Sequence, residues 1–440
     1  MRITVQVFFR SVHVNNRENI PAGPLLIVAN HPSTFTDPIL IATQLKQKIY
    51  FLAKGEVFRS AFAKWLLPKF NMIPVYRKQD DASLMTKNEE TFEKCYEHLE
   101  NKGSILLFPE GVSITERKLR KIKTGAARIA LGAEAGNEFK LGVKILPIGL
   151  NYSNPHKFQS DVFINVDEAI DCRFFAEKYE KNKIDAANEL TEVIRQRLEK
   201  LIIAIEDEAT DKLVKNIEIV YKKKLQKDFD IDAKNMEDDF NLTKAILERV
   251  NYFREKDEER VEKISFEVNR YLDNLDRLNL NDHLLKNPGS GSVIRNGISS
   301  VIYFLLGFPF YLFGIVNNYL PYKMPYYIAR KIAKTKEYIG PITMVSGTFT
   351  FLIFYSAQLY FVQKHWHETS VTLLYILALP LSGIFAYKYW RKFTNVRGKW
   401  LTLSLFMKRS VLISNLITQR ELIISELERG REEYKKEILS

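Results

Sequence analysis

The residues best suited to chemistry in this chain stand in the stretch Asn30-His31-Pro32-Ser33-Thr34-Phe35-Thr36-Asp37-Pro38. A neutral imidazole can remove a proton from a hydroxyl near pH 7, and such general-base help is typically worth about 10²–10⁴-fold in rate. A carboxylate beside it fixes the ring tautomer and stabilises the imidazolium that forms. His31 and Asp37 can fill those two roles. Taken alone, the pair is equally compatible with a histidine that closes a turn and an aspartate that caps the helix after it. A second stretch, Phe108-Pro109-Glu110-Gly111-Val112-Ser113, ends another apolar run. There the Glu110 carboxylate can project into a cleft, and Gly111 lets backbone come close to a ligand. Lys54 and Arg77 each close an apolar run as well. The Arg77 guanidinium could hold a phosphate by two parallel hydrogen bonds.

Strands must set these residues in place. Apolar, β-rich runs predict strands over Leu25–Ala29, Lys48–Ala53, Met72–Arg77, Ser104–Phe108, Lys144–Asn151 and Val162–Val166. Helical patterns fill Pro38–Leu45, Ser83–Glu100 and the Ala-rich Thr124–Ala135. The alternation makes residues 1–171 an α/β domain. Both polar stretches then fall at carboxyl ends of strands, where the sites of open α/β sheets gather.

The rest of the chain changes character twice. Residues 172–286 lose Gly and Pro, carry dense charge and repeat apolar residues at helical spacing, as in Leu190, Ile194, Leu198, Leu201 and Ile205. A charged helical region is expected there, with no constellation able to do chemistry. Residues 287–292 read as a linker, followed by a strongly apolar region over 293–395. Its stretches near 341–362 and 370–390 are long enough to cross a bilayer. The first, near 297–320, is interrupted by Gly307, Pro309 and Gly314. Cations cluster before the second stretch (Lys323, Arg330, Lys331, Lys334, Lys336) and after the third (Arg391, Lys392, Arg397, Lys399). The positive-inside rule puts those flanks on the cytoplasmic side. A re-entrant hairpin followed by two spans is therefore expected, with the N-terminal domain cytoplasmic. Residues 396–440 form a charged amphipathic helix carrying Leu412, Leu416 and Leu427, suited to pairing with another helix.

Lys and Arg number 65 against 53 Asp and Glu, a net charge of +12. Such a balance suits phosphates or an anionic lipid surface. Nucleic acid is not expected as a partner, because no helix-turn-helix, zinc-finger or stacking signature accompanies the charge. Cys95 and Cys172 are the two cysteines, too few for a disulfide scaffold, which fits a reducing compartment. The N-terminus lacks the pattern of a cleaved signal peptide. The histidines are scattered, so no metal site is expected. The basic run Arg117 to Lys123 could meet phosphates or simply be solvated.

Four blocks, in order over about residues 20–170, resemble the glycerolipid acyltransferase family, the glycerol-3-phosphate and lysophosphatidic acid acyltransferases. The blocks are His31 to Asp37, Ile73-Pro74-Val75-Tyr76-Arg77, Phe108 to Ser113, and Leu146-Pro147-Ile148-Gly149-Leu150-Asn151-Tyr152. Three departures stand out. Five residues separate His31 from Asp37 where the family has four; Asn71 replaces a frequent glycine; Val112 replaces the usual threonine. The wider gap, with His156 to Ser160, resembles the glycerol-3-phosphate/dihydroxyacetone-phosphate branch. The extra residue must be absorbed by a bulge or a wider turn.

The resemblance implies a mixed sheet flanked by helices, followed here by the helical and membrane segments. It implies His31 as base with Asp37 as partner. It implies Lys54, Arg77, Glu110, Gly111 and Ser113 around a phosphorylated glycerol acceptor, and Pro147 by the acyl-chain site. The implied activity moves an acyl group from acyl-CoA or an acyl carrier protein to glycerol-3-phosphate, without a bound cofactor. Lysophosphatidic acid as acceptor, or a silent membrane-tethered lipid-binding scaffold, are the other readings. Oligomeric state is left open.

Overall fold

The computed structural model describes residues 1–45, 47–76, 87–232, 234–285, 290–408 and 410–439. The chain divides into two compact units, one of residues 1–204 with 328–346, the other of 205–327 with 347–440.

The first unit runs α1 (Arg2–Phe8), β1 (Ser11–Asn15), β2 (Leu25–Ala29), α2 (Thr36–Gln44), β3 (Ile49–Lys54), α3 (Ala61–Leu66), β4 (Met72–Val75) and α4 (Lys87–Glu100). It continues through β5 (Ser104–Leu107), α5 (Gly125–Gly136), β6 (Lys144–Tyr152), β7 (Asp161–Val166), β8 (Ile170–Asp171), α6 (Ala176–Lys181) and α7 (Lys183–Leu201). The strands form one mixed sheet in the order β1-β7-β6-β2-β5-β3-β4, with β8 beside β6. Five neighbours, β6, β2, β5, β3 and β4, run parallel, so their carboxyl ends share one edge. All five residues of β2 are buried, as expected of a central parallel strand covered on both faces. β1 and the two-residue β8 add to the six strands expected from sequence; β1, Ser-Val-His-Val-Asn, is half polar because it lies at the sheet's edge.

One apolar layer joins α4, α5 and α7 to one face of the sheet through Cys95, Leu99, Ala130, Leu190, Ile194 and Leu198. The other face is covered by Val5, Phe8 and Phe9 around α1 and by Leu40 and Ile41 of α2. Residues 172–204, grouped by their charge with the helical region, therefore complete the α/β unit. The apolar stripe of α7 is its sheet-facing side. The fit is tight at Gly149 of β6, where a Cβ would run into the Leu201 carbonyl. Pro147 sits in β6 between the register of β8, which ends at Ile145, and that of β7, which begins at Ile148. A missing backbone donor is tolerated at such a gap.

The second unit contains α8 (Glu208–Asp228), α9 (Met236–Lys256), α10 (Glu258–Arg277), α11 (Asp282–Leu285) and most of α12 (Ser290–Ile332), α13 (Ile339–Trp366), α14 (Thr369–Lys408) and α15 (Ser410–Leu439). The side chains of Asp207, Asn235 and Asp257 cap α8, α9 and α10 by accepting backbone amides. The stretch expected as one C-terminal helix over 396–440 is divided between the end of α14 and α15, and α15 packs on α8, α9 and α10. Leu416 is buried in that packing, along with Ile413, Ile423 and Ile424, whereas Leu412 is exposed.

Among the described residues three helical segments, Ser299–Ile332, Lys336–Trp366 and Thr369–Gly398, are long and apolar enough to cross a membrane. Two expectations need correction here. Residues 290–292 open α12 instead of forming linker, while 287–289 lie outside the described residues. The first apolar stretch is one continuous helix, not a hairpin, although it contains Pro309, Pro321 and Pro325. A helical proline frees the carbonyl four residues earlier. The Asn317 carbonyl freed by Pro321 accepts from Gln358 Nε2 at 2.9 Å, and the Pro321 carbonyl freed by Pro325 accepts from Thr350 Oγ1 at 3.0 Å. Neighbouring side chains thus satisfy two of the three sites where the helix would otherwise break.

Candidate active site

The turn after β2 carries His31 out of the sheet, and α2 starts at Thr36 to place Asp37 in its first turn. The extra residue of the His31-to-Asp37 gap is taken up at Thr34, whose φ of 36° lies in the left-handed region, with Thr36 N donating to Ser33 O at 2.9 Å. The two side chains meet: His31 Nδ1 is 2.8 Å from Asp37 Oδ2. Asp37 is fully buried. Its Oδ2 also accepts the Ser33 amide at 2.8 Å, and its Oδ1 accepts the Tyr152 hydroxyl at 2.6 Å. Burial, with the adjacent Asp37, holds the Tyr152 hydroxyl's pKa well above its ordinary value of 10, so it stays a donor. The imidazole lies flat on Phe108, with ring centroids 3.9 Å apart and planes 12° apart. Asp37 therefore fixes one ring nitrogen and Phe108 fixes the ring plane. Nε2 is the nitrogen left for chemistry on a side chain that remains 19% exposed.

Glu110, at the end of β5, is buried, and both of its oxygens accept backbone amides: Oε1 from His31 at 3.0 Å and Oε2 from Arg120 at 3.1 Å. Burial raises its pKa against the opposing effect of those hydrogen bonds. The carboxylate is thus a strut joining the His31 turn to the basic run. That run is fastened again by Lys123 N, which donates to Pro109 O at 2.9 Å, and by the buried Ile122. Gly111 has φ +69°, and the group that comes close to it is Lys123 Nζ, 2.9 Å from where a Cβ would stand. The Ser113 hydroxyl accepts the Thr34 amide at 2.8 Å, so it holds the strained turn. Asn30 makes a paired contact with Leu150, accepting its amide at 2.7 Å and donating to its carbonyl at 3.0 Å.

Lys54 ends β3 on the same edge of the sheet, exposed, three residues beyond Phe51, which pairs with Leu106. Pro147 lies buried within β6, in register with Val28. Arg77 lies outside the described residues. The segment 328–346 also belongs to this unit. Thr115 N donates to Glu337 Oε1 at 3.4 Å, Thr34 Oγ1 donates to the Glu337 carbonyl at 3.5 Å, and Met344 joins the core under α1 and α2.

The arrangement is a buried carboxylate, an oriented imidazole and a basic loop at the carboxyl edge of a parallel sheet. Residues 11–151 match the family model described as Acyltransferase. Over 255 residues the chain is 25% identical to glycerol-3-phosphate O-acyltransferase 1 of Saccharomyces cerevisiae, covering 56% of this chain and 31% of that protein. Glycerol-3-phosphate O-acyltransferase 2 of the same yeast is 32% identical over 124 residues, covering 28% of this chain and 16% of that one. The chain thus spans a third or less of the length of these curated relatives. The crystal structure of the 1-acyl-sn-glycerophosphate (LPA) acyltransferase PlsC from Thermotoga maritima has 22% sequence identity and a TM-score of 0.34, over 46% of this chain and 75% of that one.

Within the first unit, sequence reasoning gave no role to Tyr152, Phe108 or Asn30. Tyr152 closes the fourth motif block, and its signal is topological: β6 lies beside β2, so the end of β6 reaches the end of β2. Phe108 opens the third block directly after β5, which flanks β2 on the other side.

Proposed function

We propose that this chain transfers a fatty acyl group from a thioester, acyl-CoA or acyl carrier protein, to a hydroxyl of glycerol-3-phosphate. The observation that carries the reading is the oriented His31–Asp37 pair, with Nε2 turned away from the carboxylate. As the acceptor oxygen attacks the thioester carbonyl carbon, its proton passes to His31 Nε2. Collapse of the tetrahedral adduct breaks the carbon–sulfur bond, and the imidazolium returns the proton to the departing thiolate. Asp37 stabilises the imidazolium between those steps, and no covalent enzyme intermediate is required.

Lys54, Arg77 and the cations of residues 117–123 would bind the acceptor phosphate. Glu110, Gly111 and Ser113 act beside them mainly by fixing the loops, and Pro147 belongs to the acyl-chain side. The acceptor assignment rests on the similarity to the two yeast enzymes and on the five-residue gap. The three apolar segments would hold the chain in the membrane, with the domain facing the cytoplasm and anionic lipids near its basic surface.

The test offers glycerol-3-phosphate, dihydroxyacetone phosphate and lysophosphatidic acid side by side with radiolabelled acyl donor. Glycerol-3-phosphate should be turned over, and His31→Ala should abolish turnover. Turnover of the lysolipid alone would replace the acceptor, and an unimpaired His31→Ala enzyme would overturn the mechanism.

A further inference from the structure

The helical unit contains a cavity with its own chemistry, enclosed by α8, α9, α10 and α15. Its volume is about 70 Å³, the space open to a water-sized molecule, and its mouth opens to solvent. Its walls are apolar, built by Leu213, Ile217, Val250, Phe253, Ile264 and Leu427 among others. Beside Glu426, which pairs with Arg260, the walls carry three arginines and a tyrosine, Arg249, Arg260, Arg431 and Tyr221. Each keeps a buried polar atom without a hydrogen-bond partner: Arg249 Nε, Arg260 Nη2, Arg431 Nη1 and the Tyr221 hydroxyl. Native interiors pair such groups, because leaving one unpaired is destabilising. Four around one apolar void point to a missing partner that carries acceptor oxygens.

The charges differ in how far they are met. Arg260 Nε and Nη1 are paired with Glu426 and Glu433. Arg431 pairs with Glu432, while its Nη1 lies 3.7 Å from Asp228. Arg249 donates to the Ala245 carbonyl at 2.8 Å and forms no ion pair among the described residues. Its guanidinium stacks on the Tyr434 ring, 5.3 Å from the centroid, and leaves Nε to donate to a further acceptor.

Gly430 explains why the void exists. It lies buried in the interior of the 30-residue α15, where glycine is less favourable to the helix than alanine. No crowding demands it there: a Cβ would sit 3.4 Å from the Phe253 ring and 3.8 Å from Arg260 Nη2, ordinary contact distances. A longer side chain would fill the cavity beside that unpaired nitrogen.

We propose that this cavity binds a single-chain anionic amphiphile, its carboxylate or phosphate on Arg249, Arg260, Arg431 and Tyr221 and its hydrocarbon against the apolar wall. The site is separate from the His31 site and takes no part in acyl transfer.

Equilibrium binding of radiolabelled palmitate and lysophosphatidate to the full chain in zwitterionic nanodiscs tests this. Inorganic phosphate and a monoacylglycerol serve as head-only and uncharged comparators. Gly430→Leu should remove one saturable equivalent per chain while helix content and acyl transfer stay unchanged. Arg249→Gln should weaken that equivalent at least tenfold, and it replaces Gly430→Leu should that variant fail to fold. The better binder of palmitate and lysophosphatidate identifies the headgroup. Unchanged stoichiometry in Gly430→Leu, unchanged affinity in Arg249→Gln, equal binding of monoacylglycerol, or binding of phosphate alone would each overturn the proposal.

Discussion

Replacing Asp37 by Asn keeps the size of the side chain and removes its charge, which separates orientation from electrostatics. Three donors converge on Asp37: His31 Nδ1 and the Ser33 amide on Oδ2, and the Tyr152 hydroxyl on Oδ1. The Ser33 amide is fixed backbone and can only donate, so the Asn oxygen must occupy the Oδ2 position. The amide nitrogen then faces Tyr152, whose hydroxyl can turn and accept. In that arrangement Nδ1 still donates and the tautomer is kept. What is lost is the charge beside the imidazolium. At 2.8 Å and an effective dielectric of about 20, that attraction is at most roughly 6 kcal/mol, and competition from water lowers it. A loss of about 4 kcal/mol in the transition state corresponds to a kcat near a thousandth of wild type. Because the mutation also removes a buried charge, Tm should stay within a few degrees. Tyr152→Phe is the comparator: it deletes one hydrogen bond to Asp37 and should cost about tenfold or less. Single-turnover acyl transfer beside thermal melts would read both effects. An Asp37→Asn enzyme within tenfold of wild type, with its fold intact, would refute Asp37 as the stabiliser of the imidazolium.

Ser113→Ala leaves the buried Thr34 amide without its acceptor, costing about 1–3 kcal/mol, so kcat should fall with the acceptor KM unchanged. A rise in KM at constant kcat would show instead that Ser113 binds substrate. Burial raises the Glu110 pKa, so its contribution to stability is fully present below its unfolded value near 4.5 and is lost as pH rises through the folded one. Melts between about pH 4 and 8 should show wild type losing ground to Glu110→Gln as pH rises, and a constant difference would contradict this. Gly149→Ala drives a Cβ into the Leu201 carbonyl and should lower stability by about 1–3 kcal/mol; a neutral result would mean α7 does not pack closely on β6.

The strands that carry the site were legible because β2, β3, β4, β5 and β6 are continuous apolar runs, as central parallel strands must be. β1 was not, since an edge strand of alternating polar residues looks like loop. The same limit hid Tyr152, 115 residues from Asp37 in the chain, because only strand order brings them together. Glu110 was legible as important but not as a strut, for a carboxylate at a strand end reads alike whether it meets substrate or backbone amides. Gly307 and Gly314 misled for a related reason: they make room for Phe385, Tyr389 and the Ser382 carbonyl of α14, which come close only in the folded chain.

The five-residue gap shows how such distant contacts bear on the site. Spacing alone demands a distortion between His31 and Asp37, and the structure puts it on Thr34, a β-branched residue at φ 36°. Residues held in that region cost of order 1–3 kcal/mol and persist only where their surroundings over-determine them. Here the surroundings are the Ser113 hydroxyl on the Thr34 amide, the Ser33-to-Thr36 turn, and the Glu337 carbonyl that accepts the Thr34 hydroxyl. The first comes from the loop after β5 and the last from the segment between α12 and α13, some 300 residues on. The strain therefore sits between His31 and Asp37, where loosening the turn would separate the two side chains most directly.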